Sequence, residues 1–388
     1  MPAEKETQLA QPLARDSAQQ GETLVADRRR FAEADTPDPE TPLDWAAFQI
    51  SVKDVLDQYF AAQRMRAMDY SPAFGELWDR IGATSSGGKW MRPKLVYLTY
   101  EAFGGAGWRA CSELAAAFEM LHAALLVHDD VIDRDFVRRG EQTLGASYRD
   151  LAALGGHGRA DADHAGYSAA IIAGDLLLTG SLRLAASAAT GHGQSAAILS
   201  TIHEAIFAAA AGELDDLLFA LGNSDPDLLE VLNMERLKTA VYSFEMPLRA
   251  GALLAGQSAA TADALAAVGR DIGVAYQVVD DVLGTFGQQA DTGKSVDSDL
   301  REGKRTILTS FADGSEEFVA ALADFRGGTG DAEAIRAVLR QLGAREHALT
   351  LARNLVADAM NKAAELDLPE SLFLELTQIC DYVLTRRS

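Results

Sequence analysis

A chain of 388 residues with 48% hydrophobic content is long enough for one large core or two ordinary ones, and its two cysteines, Cys111 and Cys380, lie far apart with no metal-ligand spacing, which fits a reducing compartment and excludes a disulfide framework. A net charge of −22 excludes a nucleic-acid backbone as partner, and any anionic substrate must be met by locally concentrated Lys and Arg. No run approaches the roughly 18 to 20 apolar residues of a membrane span and no basic-then-apolar signal opens the chain, so a soluble cytoplasmic protein is expected.

Residues 1–40 are polar, rich in Ala, Glu, Asp, Gln and Pro, and lack periodicity; they read as a disordered tail. Residues 41–388 read as a single all-helical domain. Trp45, Phe48, Val52, Val55, Leu56 and Phe60 recur at helical spacing. A loop follows, Ser85-Ser86-Gly87-Gly88-Lys89-Trp90-Met91-Arg92-Pro93. Its glycines let backbone approach a ligand, and Lys89 and Arg92 are placed to clamp a diphosphate. It has neither the spacing nor the Ser/Thr of a Walker loop.

The next helix, about Cys111 to Asp133, carries the chemistry. Leu114, Phe118, Leu121 and Leu125 recur three or four residues apart, and Asp129 and Asp133 continue their stripe. Carboxylates on a face otherwise apolar cost several kcal/mol unless a cation offsets them. With hard oxygen ligands and no Cys or His set, that cation is expected to be Mg²⁺, which takes its remaining ligands from substrate phosphate and water. Arg138 and Arg139 follow at once and are within reach of phosphate oxygens.

The stretch Asp150 to Gly166 reads as a loop. Helical patterns then cover Ala169 to Ala189, Ser195 to Leu221, Leu228 to Leu254 with Lys238-Thr239, and Ala260 to Leu283. Asp215 and Asp216 read as a polar helix face. The last of these helices ends in Gln277-Val278-Val279-Asp280-Asp281-Val282-Leu283-Gly284, a second acidic wall. A basic loop with Lys294, Arg301, Lys304 and Arg305 follows and is suited to close over a phosphate. Amphipathic helices fill residues 316–388. The fold expected is all-α, a single-domain helical bundle with its site in the core.

Taken in order, GGKWMRP, HDDVID, RRG, KT, QVVDD and the trailing GKS and REGKRT segments resemble the trans-isoprenyl diphosphate synthases over residues 45–388, most closely bacterial geranylgeranyl diphosphate synthases. The resemblance implies two or three Mg²⁺ ions per site, held by Asp129, Asp130 and Asp133 on one wall and Asp280 and Asp281 on the other. It implies isopentenyl diphosphate at Lys89, Arg92, His122 and Arg139, and an allylic diphosphate gripped by Arg138, Lys238 and Lys304, with Lys294 a further substrate contact. Thr239 and Gln277 would line the reacting carbons, and a homodimer is implied. Gly284 departs from the pattern by standing where a third Asp is common. In short-product members an aromatic often stands where this chain has Ala124, so the tunnel is expected to run open past Leu125, Ala124 and Leu121 to a floor at Phe118, about 16 Å below Asp129 at 1.5 Å per residue. That favours a twenty-carbon product over farnesyl or longer ones. A class I terpene cyclase would leave Lys89, Arg92, His122 and Arg139 without purpose, and a non-catalytic synthase subunit would be expected to have lost its carboxylates.

Overall fold

The computed structural model describes residues 44–84, 88–138, 140–222, 226–287, 300 and 303–386. The tail expected over residues 1–40, together with Arg139 and Lys294, lies outside them. Helix α1 (Trp45–Met68) starts where Asp44 accepts a hydrogen bond from the Ala47 backbone at 2.9 Å, satisfying one orphan amide. Helices α2 (Pro72–Thr84), α3 (Met91–Ala102) and α4 (Trp108–Ile132) follow. A two-residue-per-strand hairpin, β1 (Val137–Arg138) and β2 (Glu141–Gln142), is the only sheet among the described residues.

Helix α5 (Leu144–Leu154) and the long α6 (Arg159–Ala188) replace most of the loop expected over 150–166. Gly155 and Gly156 break the chain, but Gly158 already caps α6 and Asp161 favours its first turn, so the break shrinks to a few residues. Helix α7 (Ser195–Ala220) is followed by α8 (Leu228–Glu235), a π-helical segment (Arg236–Glu245) and α9 (Met246–Leu254), which run on continuously. Helix α10 (Ala259–Phe286) continues beyond Gly284, so this glycine lies inside the last turn and does not end the helix. Helices α11 (Ile307–Ala312), α12 (Glu316–Arg326), α13 (Ala332–Gln341), α14 (Ala344–Glu365) and α15 (Glu370–Thr385) complete the bundle.

Helix α4 is the axis of the core. Its Leu114, Phe118 and Leu121 are fully buried, and it packs against α1, α3 and above all α6. Helix α10 is a second axis, sandwiched between the π-helical segment and α14. One expectation is corrected: α4, α6 and α7 are each long and apolar enough to cross a membrane by length and composition. Alanine-rich runs with few charges raise mean hydropathy without any unbroken block of large apolar residues. The most apolar window of α4 is 67% buried in the bundle, but those of α6 and α7 are only 44% and 39% buried. Much of their apolar surface therefore faces outward.

Candidate active site

The acidic end of α4 is closed by the hairpin that follows it. Arg138 on β1 turns back so that Nε donates to Asp130 at 2.6 Å and Nη2 donates to Asp129 at 2.5 Å. Asp133, one turn on, accepts from Lys304 Nζ at 2.6 Å. Asp129 is held well below the usual carboxylate range: burial alone would raise it, and Lys238, Arg138 and Lys304 outweigh burial. Asp130 has a weaker cationic surround, and burial pushes it up to about 6 against the pull of Arg138.

Lys238 comes from the π-helical segment, where backbone bonding shifts to i→i+5. Lys238, Thr239 and Tyr242 of this segment, with Glu235 just before it, line one cavity. Close approach by α7 makes this possible: a Cβ on Gly212 would lie 2.2 Å from the Lys238 backbone nitrogen, so no larger residue fits. Lys238 Nζ meets Asp216 at 2.6 Å, Glu213 at 3.0 Å and Asp129 at 3.4 Å. Burial would lower its pKa, and these three carboxylates raise it instead.

A second basic group lies where the loop enters α3. Gly88 (φ 103°) and Trp90 (φ 52°) both take left-handed backbone conformations, a strained choice for tryptophan that bends the chain around the cavity mouth. Arg92 donates to Ser243 Oγ at 2.8 Å and to the Tyr242 hydroxyl at 3.3 Å, and its guanidinium lies 4.7 Å from the Tyr242 ring. The same hydroxyl pairs with His122 Nδ1 at 3.3 Å. Lys89 stands 5.6 Å from the Tyr382 ring. Beneath them Glu119, 7% exposed, has one carboxylate oxygen without a partner, and burial raises its pKa against the pull of Arg92.

On the opposite wall, Asp281 accepts from Gln277 Nε2 at 3.0 Å and from the Ile307 amide at 3.4 Å. Asp280 is paired with Arg386 at 2.8 Å. Among the described residues no three His, Cys, Asp or Glu side chains are arranged to hold a metal ion as they stand; Arg138, Lys238, Lys304 and Arg386 neutralise the acids in place. The donor set is nonetheless all carboxylate oxygen, and Glu235 is buried against Asp281, carboxyl beside carboxyl. Both features suit Mg²⁺, a hard cation.

These groups share one cavity of about 1530 Å³. Of the residues singled out from the sequence, Lys89, Arg92, His122, Leu125, Asp129, Asp130, Arg138, Lys238, Thr239, Gln277, Asp280, Asp281 and Lys304 line it. Asp133 joins through Lys304. Phe118, Leu121 and Ala124 do not line it; all three are fully buried. Phe118, expected as the tunnel floor, thus packs in the core behind the residues that line the cavity. Below Asp129 the apolar wall is made by Leu125 and Leu126 of α4, Leu178 of α6, and Ile206, Ala209 and Ala210 of α7. Asp216, read as part of a polar face, is 7% exposed and belongs to the Lys238 cluster. Glu213 and Arg386 were not foreseen. The Gly212-Glu213 pair inside an apolar helix was a usable signal for Glu213, but an arginine close to the carboxyl terminus gave none.

The chain matches the family model described as "Polyprenyl synthetase" over residues 81–341. It is 31% identical over 323 residues to the geranylfarnesyl diphosphate synthase of Aeropyrum pernix, covering 79% of this chain and 95% of that one. It is 32% identical over 310 residues to the (2E,6E)-farnesyl diphosphate synthase of Mycobacterium bovis, covering 78% and 80%. Among solved structures, geranylgeranyl pyrophosphate synthase from Corynebacterium glutamicum, crystallised with isoprenyl diphosphate and magnesium, superposes with a TM-score of 0.81 at 29% identity, over 89% of this chain and all of that one.

Proposed function

Because the chain belongs to the polyprenyl synthetase family and is a trans-prenyltransferase joining isopentenyl diphosphate to an allylic diphosphate, we propose that its product is geranylgeranyl diphosphate and that its acidic walls hold Mg²⁺. One juxtaposition carries this reading. The acid pairs Asp129–Asp130 and Asp280–Asp281 line a single cavity together with Lys238, Arg92, His122 and the apolar Leu125, Leu178 and Ile206.

Bound Mg²⁺ would neutralise the allylic diphosphate and stabilise the departing pyrophosphate. Asp129, Asp130 and Asp133 would hold it on the first wall, and Asp280 and Asp281 on the second. Arg138, Lys238 and Lys304 bind the same diphosphate oxygens and so favour the charge that develops as the carbon–oxygen bond breaks. Lys89, Arg92 and His122 orient isopentenyl diphosphate so that its double bond attacks the allylic cation. Proton loss then yields a chain one isoprene unit longer. Thr239 and Gln277 flank the reacting carbons, and the wall of Leu125, Leu178 and Ile206 keeps water from the cation.

Chromatography of dephosphorylated products, after incubation with labelled isopentenyl diphosphate, Mg²⁺ and each allylic diphosphate in turn, tests this reading. A dominant twenty-carbon alcohol is expected. Fifteen carbons, or twenty-five and more, would overturn the product assignment and leave the reaction intact. A hydrocarbon formed without isopentenyl diphosphate would make the protein a cyclase.

Self-association belongs to the same proposal. Phe207 and Leu214 on α7 and Leu221 just after it recur seven residues apart and are 67%, 54% and 62% exposed, a stripe suited to a second copy of the chain. Sedimentation is expected to give a dimer.

A further inference from the structure

Resting on the Mg²⁺ reading above, we propose that Glu235 is a further carboxylate ligand of the second acidic wall, supplying from the π-helical side the oxygen that α10 lacks at Gly284. The chain's two acidic clusters differ in one position: the first reads Asp129-Asp130-x-x-Asp133, the second Asp280-Asp281-x-x-Gly284. On a helix the fifth residue of such a cluster shares a face with the first. The second wall is therefore one carboxylate short.

Glu235 sits where α8 passes into the π-helical segment, and α8 packs against α10. It lines the same cavity as Asp281 and Gly284. Glu235 is 4% exposed, its carboxyl meets the Asp281 carboxyl and the Ile307 backbone amide, and neither of its oxygens has a partner within strict hydrogen-bond geometry among the described residues. Its strongest electrostatic partner is the like-charged Asp281.

The basic groups that might have served it are committed elsewhere. Arg236, next in sequence, turns to Glu245 with two hydrogen bonds at 2.8 and 3.1 Å. Lys238 is shared among Asp129, Glu213 and Asp216, Lys304 meets Asp133, and Arg305 meets Asp313. A buried acid beside another acid, its backbone donor an amide that also serves that neighbour, is a costly arrangement for packing alone and a suitable one for a cation. The π-helical segment, a distortion found often at functional sites, begins at the next residue, Arg236.

Calorimetric titration of Mn²⁺ and Mg²⁺ into the full chain, with inorganic pyrophosphate present, tests this without reference to turnover. Glu235→Gln keeps the shape of the protonated acid, so a purely structural role would leave the titration unchanged. We expect at least a tenfold loss of affinity, or the loss of one equivalent of metal, with a thermal midpoint in metal-free buffer equal to or above that of the parent. Gly284→Asp in the Glu235→Gln background restores binding, whereas in the parent it changes affinity less than twofold because the wall is already complete. Parent-like titration of Glu235→Gln would overturn the assignment. So would a strong gain from Gly284→Asp alone. A parent that binds no metal with pyrophosphate would bring down the Mg²⁺ reading itself.

Discussion

Arg386 closes the cavity from the far end of the fold by pairing with Asp280 at 2.8 Å while its guanidinium stacks 3.6 Å from the ring of Tyr276 on the same helix. Its side chain is 1% exposed, and it also donates to the Tyr276 carbonyl at 2.5 Å. The residue thus ties the end of α15 to the second acidic wall and supplies Asp280 with a counter-charge.

Replacing Arg386 by Ala is expected to lower stability in metal-free buffer by about 2 kcal/mol, the scale of a charged hydrogen bond, because Asp280 is 43% exposed and can turn to water. The same change removes one cation that competes for Asp280, so the rise in thermal midpoint on adding Mg²⁺ should be larger than in the parent. Thermal unfolding with and without Mg²⁺ reads both effects. Equal midpoints without metal would show the contact to be idle.

The tunnel wall makes a second prediction. Ile206 lies seven residues before Glu213 on α7, about 10 Å below the Lys238 cluster. Ile206→Ala should shift products to longer chains, and Ala210→Phe, one turn below Glu213, to shorter ones. Phe118→Ala removes a fully buried core ring and should cost about 3–5 kcal/mol with the product distribution unchanged. Product chromatography with chemical unfolding separates the two outcomes; longer products from Phe118→Ala would return the floor to that residue.

Periodicity read the helices well because each long helix buries one continuous stripe, and the acidic clusters were legible because carboxylates on such a stripe are out of place. What periodicity lacks is the neighbour. Phe118 shares a face with Asp129, yet whether space or another helix lies beneath that face depends on residues such as Leu178 and Ile206, distant in sequence. The π-helical segment was likewise invisible: Arg236 to Glu245 has the composition of any amphipathic helix, and only the close passage of Gly212 shows what accommodates the wider turn. Arg386 had no periodic pattern to place it.

Glu119 makes a prediction about pH. Burial raises its pKa above the ordinary glutamate value of 4.5, with Arg92 opposing, so the folded state favours the protonated acid more than the unfolded state does. For an acid whose folded pKa is raised, stability is highest at low pH and declines as pH climbs from about 4.5 through the folded value. Glu119→Gln, which mimics the protonated form, should match the parent in thermal midpoint near pH 4 and exceed it progressively above pH 4.5. A constant difference across pH 4 to 8 would mean that Glu119 ionises in the fold at no cost.

Lys238 is the hub of the site, since three carboxylates from two helices depend on it. With Asp129, Glu213 and Asp216 all at most 21% exposed at the side chain, removing the ammonium leaves buried like charges facing one another, and Lys238→Ala is expected to cost about 3–5 kcal/mol in metal-free buffer. Lys238→Met keeps the stem and loses only the charge, so the two variants should be destabilised alike if charge is the cause, and Lys238→Ala more if packing is. Mg²⁺ with pyrophosphate should recover part of the loss in both, because a divalent cation near Asp129 relieves the same repulsion. Unfolding curves that do not respond to Mg²⁺ in either variant would argue that Asp129 faces no metal and that the acidic end of α4 is held by protein cations alone.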